Sequence, residues 1–295
     1  GAPEGSFIVT TDVMVEDQHF HLSWSTGYEV GARVAAQNLA DIDAMGGRPS
    51  GLVASVVAPR DMDAEVFLDV VRGLGERARE VGAGVVGGDL SAGEKLVISI
   101  TAFGYCPGPI VRRDGAQPGD VIAVSGTLGF SYAGLDLLEG GYVDPSARGS
   151  EELGDLAPFI DTYRAPHPPL GSGVAAAAAG ATAMMDLSDG PAADARRMAQ
   201  ASGLVIEFDR PALEAEARLL QVPAQVCQAD PVWWVLQGGE EHGMLAAFPP
   251  NAVLPEGFRV VGRTRACRDG ETPAAMLGEE VLRGAWDHFD PESVH

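Results

Sequence analysis

Four times in this chain an apolar run stops at small or hydroxylated residues that carry an acid. The stretches are "TTD" at 10–12, "GGD" at 87–89, "DLSDG" at 186–190 and "GGEE" at 238–241. The runs before them are short and mostly strand-like in pattern. A chain with this device holds several strands whose ends deliver carboxylates, and glycine lets the backbone approach a ligand closely. Carboxylate and hydroxyl oxygens are hard donors suited to Mg²⁺. Asp12, Asp41, Asp89, Asp186 and Asp189 are the candidates. Each alone reads equally well as a cap, a turn former or surface. Asp41 discriminates, because it sits in the helical pattern "GYEVGARVAAQNLADIDAMGG". Val30, Val34, Leu39 and Ile42 recur there at helical spacing, and an unpaired charge inside such a helix is costly.

Helices and strands mix along the chain without the strict alternation of a doubly wound sheet, which predicts an α+β fold. The Pro- and Gly-rich stretch from 107 to 119 marks a boundary. The expected division is 1–108 and 109–295. "GGD" reads as a turn closing a short strand, and residues 139–158, rich in Gly, Glu and Asp, read as a loop.

The formal net charge is -22, which argues against nucleic acid or an anionic membrane surface as partner, since both call for a basic face. Lys95 is the only lysine. Cys106, Cys227 and Cys267 are far apart and form neither a metal motif nor a disulfide framework. A reducing cytoplasm is the expected compartment. The longest apolar run, near 173–185, is too short and alanine-rich to span a bilayer.

A Walker A loop is absent, because Lys95 lies in "SAGEKL". A nucleotide site here must therefore neutralise phosphate through acid-held metals and an arginine or two. "SGTLGFSYAGL" offers backbone N–H groups at a glycine turn and helix start. Arg112 and Arg113 follow a Pro-Gly turn; a solvated pair explains them equally well. There is no G-x-S-x-G elbow, H-E-x-x-H or kinase signature set. His19 and His242 are candidate substrate contacts.

Taken together and in order, these segments resemble the thiamine-monophosphate kinase family. "TTDVMVEDQHF" is similar to its TTD-x-x-VEG-x-HF motif, and "AAQNLADIDAMGGRP" to its N-L-[SA]-D-x-x-A-M-G-A segment. "VVGGDLS", "SGTLGFSYAGL", "MMDLSDGPAADARRMAQASG", "LQGGEEHGML" and "GAWDHF" resemble its later motifs. The match runs over nearly the whole chain and is closest to actinobacterial members, which suits the preference for Arg over Lys. The resemblance implies a two-domain fold like aminoimidazole ribonucleotide synthetase. An N-terminal sheet domain would pair in a homodimer, and a C-terminal α/β sandwich would follow. It implies transfer of the γ-phosphoryl of ATP to thiamine monophosphate with several Mg²⁺ ions. On the matched positions, Thr10, Thr11, Asp12, Asp41, Asp89, Asp186 and Asp189 are implied metal ligands. Gly88, Asp89, Arg113 and Ser188 are implied ATP contacts. His19, Glu240 and Trp286 are implied substrate contacts, Trp286 as an aromatic face for a cationic thiazolium.

The family also carries a GDDAA segment upstream of TTD, whereas the residues before TTD in this chain read "GAPEGSFIV". Asp17 stands where the family motif has glycine, Glu241 where it has Asp, and Pro191 where it has Leu. The alternatives are another ATP-using member of the superfamily, disfavoured by "VEDQHF" and "WDHF", and a non-catalytic nucleotide- or metal-binding homologue.

Overall fold

The computed structural model describes residues 7–284. Trp286 and the "WDHF" segment lie outside the described residues. The first part of the chain runs β1 (Ile8–Val15), α1 (Gly27–Asp43), β2 (Arg48–Pro59), α2 (Ala64–Glu80), β3 (Val85–Gly93) and β4 (Val97–Tyr105). Then come β5 (Val121–Ser125), α3 (Phe130–Glu139), α4 (Gly149–Leu153), α5 (Ala157–Arg164), α6 (Ser172–Ala178), β6 (Ala183–Asp186) and α7 (Pro191–Ser202). The rest is β7 (Leu204–Phe208), α8 (Arg210–Ala217), α9 (Gln221–Cys227), α10 (Pro231–Gln237), β8 (Met244–Phe248), β9 (Arg259–Ala266), β10 (Ala274–Leu277) and β11 (Glu280–Val281). Among the described residues no helix is long and apolar enough to cross a membrane.

Two mixed sheets result, as the α+β expectation requires. The first has the order β1-β4-β2-β3, and the second β11-β10-β7-β9-β5-β8-β6. In the first sheet β1 and β2 flank β4 antiparallel, and β3 adds parallel to β2. Strand alternation sorts its side chains. Met14, Ile98, Ile100 and Leu52 turn to the helices and are buried with Val30, Val34, Leu39 and Ile42 of α1. Thr10 and Asp12 share the parity of Met14, so they face the same helix.

Helix α1 starts at a capping box, where Thr26 Oγ1 accepts from Glu29 N at 3.2 Å and Glu29 Oε2 accepts from Thr26 N at 2.6 Å. It packs on α2 unusually closely. A Cβ added to Gly31 would lie 2.0 Å from the Val70 carbonyl oxygen, and one on Gly73 2.0 Å from that of Tyr28. The same helix ties in the second half of the chain. The buried Asp43 carboxylate accepts from Gly173 N at 2.9 Å and Val174 N at 3.4 Å, satisfying the start of α6.

Two local expectations are corrected. "GGD" is not a turn, because Gly87–Asp89 lie inside the continuous strand β3. Gly88 is needed there for closeness to β2: an added Cβ would meet the Ala54 carbonyl oxygen at 1.9 Å. The stretch 139–158 is not all loop; it contains α4 and a 3-10 turn, Gly154–Leu156, that leads into α5.

Candidate active site

A cleft of about 570 Å³ is lined by residues from both sheets and from α1. Asp12 reaches it from β1, Asp41 from α1 and Asp186 from the end of β6. Ser188 and Asp189 come from the loop before α7, Glu240 and His242 from the turn before β8, and His19 from the loop after β1. Acids of "TTD", "DLSDG" and "GGEE" thus meet at one place, although only Asp186 ends a strand: Asp12 lies within β1, and "GGEE" follows helix α10.

The polar contacts are specific. Thr10 Oγ1 donates to Asp41 Oδ2 at 2.6 Å. His242 Nδ1 lies 3.3 Å from Asp186 Oδ2. Burial pushes the Asp41 carboxyl up to about 7, and the negative charges of Asp186 and Asp12 add to the rise. Burial also raises Asp12, partly countered by His242 and by its contact with Asp41. These acids repel one another and are removed from water, a state that a bound cation relieves.

The donor set fits Mg²⁺ in a particular way. Among the described residues, no group of three or more His, Cys, Asp or Glu is arranged to hold a metal by itself. A hard cation that keeps water and borrows phosphate oxygens needs only one or two protein carboxylates. Carboxylates that do not close a metal site by themselves therefore suit Mg²⁺ bound together with a nucleotide better than a closed structural metal site.

Other expected residues lie elsewhere. Thr11 points to the opposite face of the sheet, where its Oγ1 donates to the Ile100 carbonyl at 3.0 Å. Asp89 pairs in register with Ser55 on that same outer face. It lies three strand spacings from β1, about 14 Å. Gly88 is on the same exposed edge. Arg113 is exposed and does not line the cleft; its carbonyl accepts from Ser202 Oγ at 3.2 Å. Within this single chain the structure does not bring Thr11, Gly88, Asp89 or Arg113 to the other acids.

Residues without a sequence motif of their own complete the site. Arg33 is buried, donates from Nη1 to the Tyr163 carbonyl at 3.0 Å, stacks 4.8 Å above the Tyr163 ring and pairs with Glu240. Its setting in the protein works to raise the Glu240 carboxyl, but the charge and hydrogen bond of Arg33, together with the charges of His242 and His19, hold that half-exposed group below the usual range. Arg33 stands amid apolar residues of α1, the same signal that singles out Asp41. Arg197 pairs with Asp189 and donates to Asp194 Oδ1 at 2.6 Å, while Asp194 Oδ2 accepts from Asp189 N at 3.0 Å. Asp189 is therefore gripped by its side chain and its backbone.

The departures are absorbed locally. Pro191 is the first residue of α7, where its missing N–H costs nothing. Glu241 is buried and its Oε1 accepts from Phe130 N at 2.5 Å and Ser131 N at 3.3 Å. It caps α3, whose own N-cap is Gly129.

With this arrangement established, the relatives are informative. Residues 2–106 match the family described as AIR synthase related protein, N-terminal domain. The thiamine-monophosphate kinase of Mycobacterium tuberculosis (strain CDC 1551 / Oshkosh) is 41% identical over 290 residues, covering 98% of this chain and 82% of its own. The chain belongs to the thiamine-monophosphate kinase family. The kinase of Corynebacterium glutamicum is 37% identical over 287 residues, covering 94% of this chain and 84% of its own. Among solved structures, thiamine monophosphate kinase from Aquifex aeolicus aligns with a TM-score of 0.81 at 29% identity, over 96% of this chain and 90% of that one. AaThiL complexed with AMPPCP and TMP aligns with a TM-score of 0.81 at 28% identity, over 96% and 87%. A hydrogenase maturation protein HypE in complex with ATP shares the fold, with a TM-score of 0.70 at 19% identity. Thiamine-monophosphate kinases are thus among its relatives in sequence, and the fold is shared more widely.

Proposed function

We propose that this chain is a kinase that transfers the γ-phosphoryl group of ATP to the phosphate of thiamine monophosphate. The observation that carries this reading is the convergence of Asp12, Asp41, Asp186 and Asp189 on one cleft, in a chain of this family. A phosphate oxygen of thiamine monophosphate attacks the γ-phosphorus, the bond from that phosphorus to the β,γ-bridging oxygen breaks, and ADP leaves. The acceptor is already ionised, so no strong base is required. Catalysis is then positioning and neutralisation of charge.

Mg²⁺ is the cation that the donor set suits, with Thr10, Asp12, Asp41, Asp186 and Asp189 as its holders. When bound it would neutralise phosphate charge. Asp41 is kept in place by Thr10, and Asp189 by Asp194 and Arg197. Ser188 lines the nucleotide side of the cleft, and His19 and Glu240 face the acceptor. Trp286, outside the described residues, keeps in this reading the acceptor contact that the family resemblance implies. Thr11, Gly88, Asp89 and Arg113 take part in this proposal only if a second copy brings them near a cleft.

A homodimer belongs to the same reading. The outer face of the first sheet carries Val9 and Val13, each 47% exposed, beside Val53, Val57 and Phe103. Such an apolar face on a half-covered sheet suits pairing with another copy. The domain boundary is placed near residue 108, between β4 and β5. The three free thiols accord with a reducing compartment, and the cytoplasm is the proposed location.

The test is an endpoint assay with MgATP and thiamine monophosphate, reading thiamine diphosphate as its fluorescent thiochrome. Product that vanishes in Asp41→Asn supports the reading. Magnesium-dependent ATP binding without product would favour the non-catalytic alternative.

A further inference from the structure

We propose that the indole of Trp24 is the platform on which the ring system of the acceptor substrate rests. The proposal builds on thiamine monophosphate as that acceptor and names a contact on the described chain in addition to His19, Glu240 and Trp286.

Trp24 lines the cleft while remaining only half-buried. It stands between two other rings. Its centroid is 4.3 Å from His21 at a tilt of 56°, and 6.2 Å from Tyr163 at a tilt of 58°. Tyr163 is itself covered by the Arg33 guanidinium. Trp24 precedes α1 in the chain, yet it packs against the core of the second sheet.

Its backbone is held firmly. Arg164, fully buried, donates from Nε to the Trp24 carbonyl at 2.7 Å. The same guanidinium donates to the carbonyls of Ala147 at 2.8 Å and Pro145 at 2.7 Å. Arg148 Nη2 adds a 3.3 Å bond to the Trp24 carbonyl. Taking a guanidinium out of water is costly unless its donors are satisfied. Here that cost secures the turn that presents Trp24, and a contact held before binding loses less entropy on binding.

The charge of the cleft agrees with a cationic ring. Among the described residues lining the cleft, seven are carboxylates and only Arg33 is a Lys or Arg. An indole face is the best aromatic partner for a cation. Arg33, one ring away from Trp24, lies eight residues before Asp41 on α1, about 12 Å along the helix. Trp24 and the acids line the same cleft, so a molecule that joins a phosphate to a cationic ring can direct its phosphate to the acids and its ring to the indole.

Trp24→Leu and Trp24→Phe test this. The KM for thiamine monophosphate should rise at least tenfold in Trp24→Leu and only a few-fold in Trp24→Phe, with the KM for ATP within twofold of wild type. Thiamine, which has the rings without the phosphate, should quench tryptophan fluorescence of the wild type, and Trp24→Phe should lose more than half of that quench. If Trp24→Leu does not fold, the Trp24→Phe quench decides. Unchanged KM for thiamine monophosphate, or an undiminished quench, in an otherwise active enzyme would make Trp24 a packing anchor and overturn the proposal. Wild-type protein that makes no thiamine diphosphate would instead overturn the underlying functional reading.

Discussion

Asp17 Oδ2 lies 3.1 Å from Nζ of Lys95, the only lysine in the chain. Asp17 Oδ1 also lies 3.2 Å from His21 Nδ1. The backbone of Asp17 is in the left-handed region at φ 63°, which explains why glycine suits this position in the family motif. The side chain thus gains two exposed contacts where the backbone is strained. Exposed ion pairs contribute little, because water and salt screen them. Left-handed strain, by contrast, is felt by every residue with a Cβ and is relieved in glycine. Asp17→Gly should therefore unfold at a temperature equal to or above that of the wild type. Asp17→Ala keeps the strain, loses both contacts and should melt a few degrees lower. A large drop for the glycine variant in thermal melts would refute this account.

Asp41 sits with Asp12 and Asp186 in a crowded, poorly hydrated group. Asn at 41 keeps an oxygen for Thr10 and removes one charge. Without metal, Asp41→Asn should be as stable as the wild type or more so. It should also lose most of the rise in melting temperature that MgCl₂ and ATP give the wild type, and turnover should fall by at least about a hundredfold, a loss of roughly 3 kcal/mol in transition-state stabilisation. Melting curves with and without Mg²⁺ check the first two points.

Glu241 gives a pH signature. Burial raises its carboxyl to about 7, although the N–H groups of Ser131 and Phe130 oppose the rise. Below its ordinary value of 4.5 the group is protonated in both folded and unfolded chains. Between 4.5 and about 7 the folded chain holds the proton more tightly, so the contribution to stability falls as pH rises. Above that window the loss is complete, at most about 3 kcal/mol. Glu241→Gln can still accept from α3 and should flatten this part of the curve. Urea unfolding of both proteins at pH 5 and pH 8 measures the difference. An identical pH slope in the two would exclude Glu241 as its source.

Arg33 and Glu240 should be unequal partners. Replacing Arg33 with Met leaves the Tyr163 carbonyl without its donor and Glu240 without its cation. The expected destabilisation is about 3 kcal/mol, the range for breaking a buried pair. Glu240→Gln, at the half-exposed end, should cost less than about 2 kcal/mol, mainly because Arg33 stays buried with a neutral partner. Equal losses in denaturant titrations would contradict this asymmetry.

If the outer face of the first sheet pairs two copies, sedimentation should give twice 30.7 kDa, and Val9→Glu should shift the population toward the single-chain mass. A wild type that sediments as one chain at micromolar concentration would remove the dimer from the functional reading.

Much of the site is legible in the sequence. Asp186 of "DLSDG" announces itself because it ends an apolar strand, and Asp41 because its helix is otherwise apolar; "TTD" looks like a strand end but lies within β1, where alternation carries Asp12 to the helix-facing side. "GGD" misleads, since two glycines look like a turn whether they bend the chain or let strands touch; only the Ala54 carbonyl beside Gly88 tells these apart. Partners far apart in sequence are invisible. Arg33 meets Glu240 across 207 positions, and Arg164 meets Trp24 across 140, and no local pattern encodes such a meeting. Asn38, three residues before Asp41, is fully buried and donates to the Val34 carbonyl at 2.9 Å. Its side-chain oxygen Oδ1 is buried and has no hydrogen-bond partner among the described residues.

Helix α1 also acts as a ruler. Arg33, Asp41 and Asp43 mark three graduations on one rigid rod: the ion pair with Glu240, the hydrogen bond from Thr10 and the joint with α6. Their spacing is fixed by helical pitch and not by the looser geometry of loops. A single residue inserted between Arg33 and Asp41 would turn one graduation about 100° against the other. The cleft would then lose its calibration even if both halves of the chain folded normally.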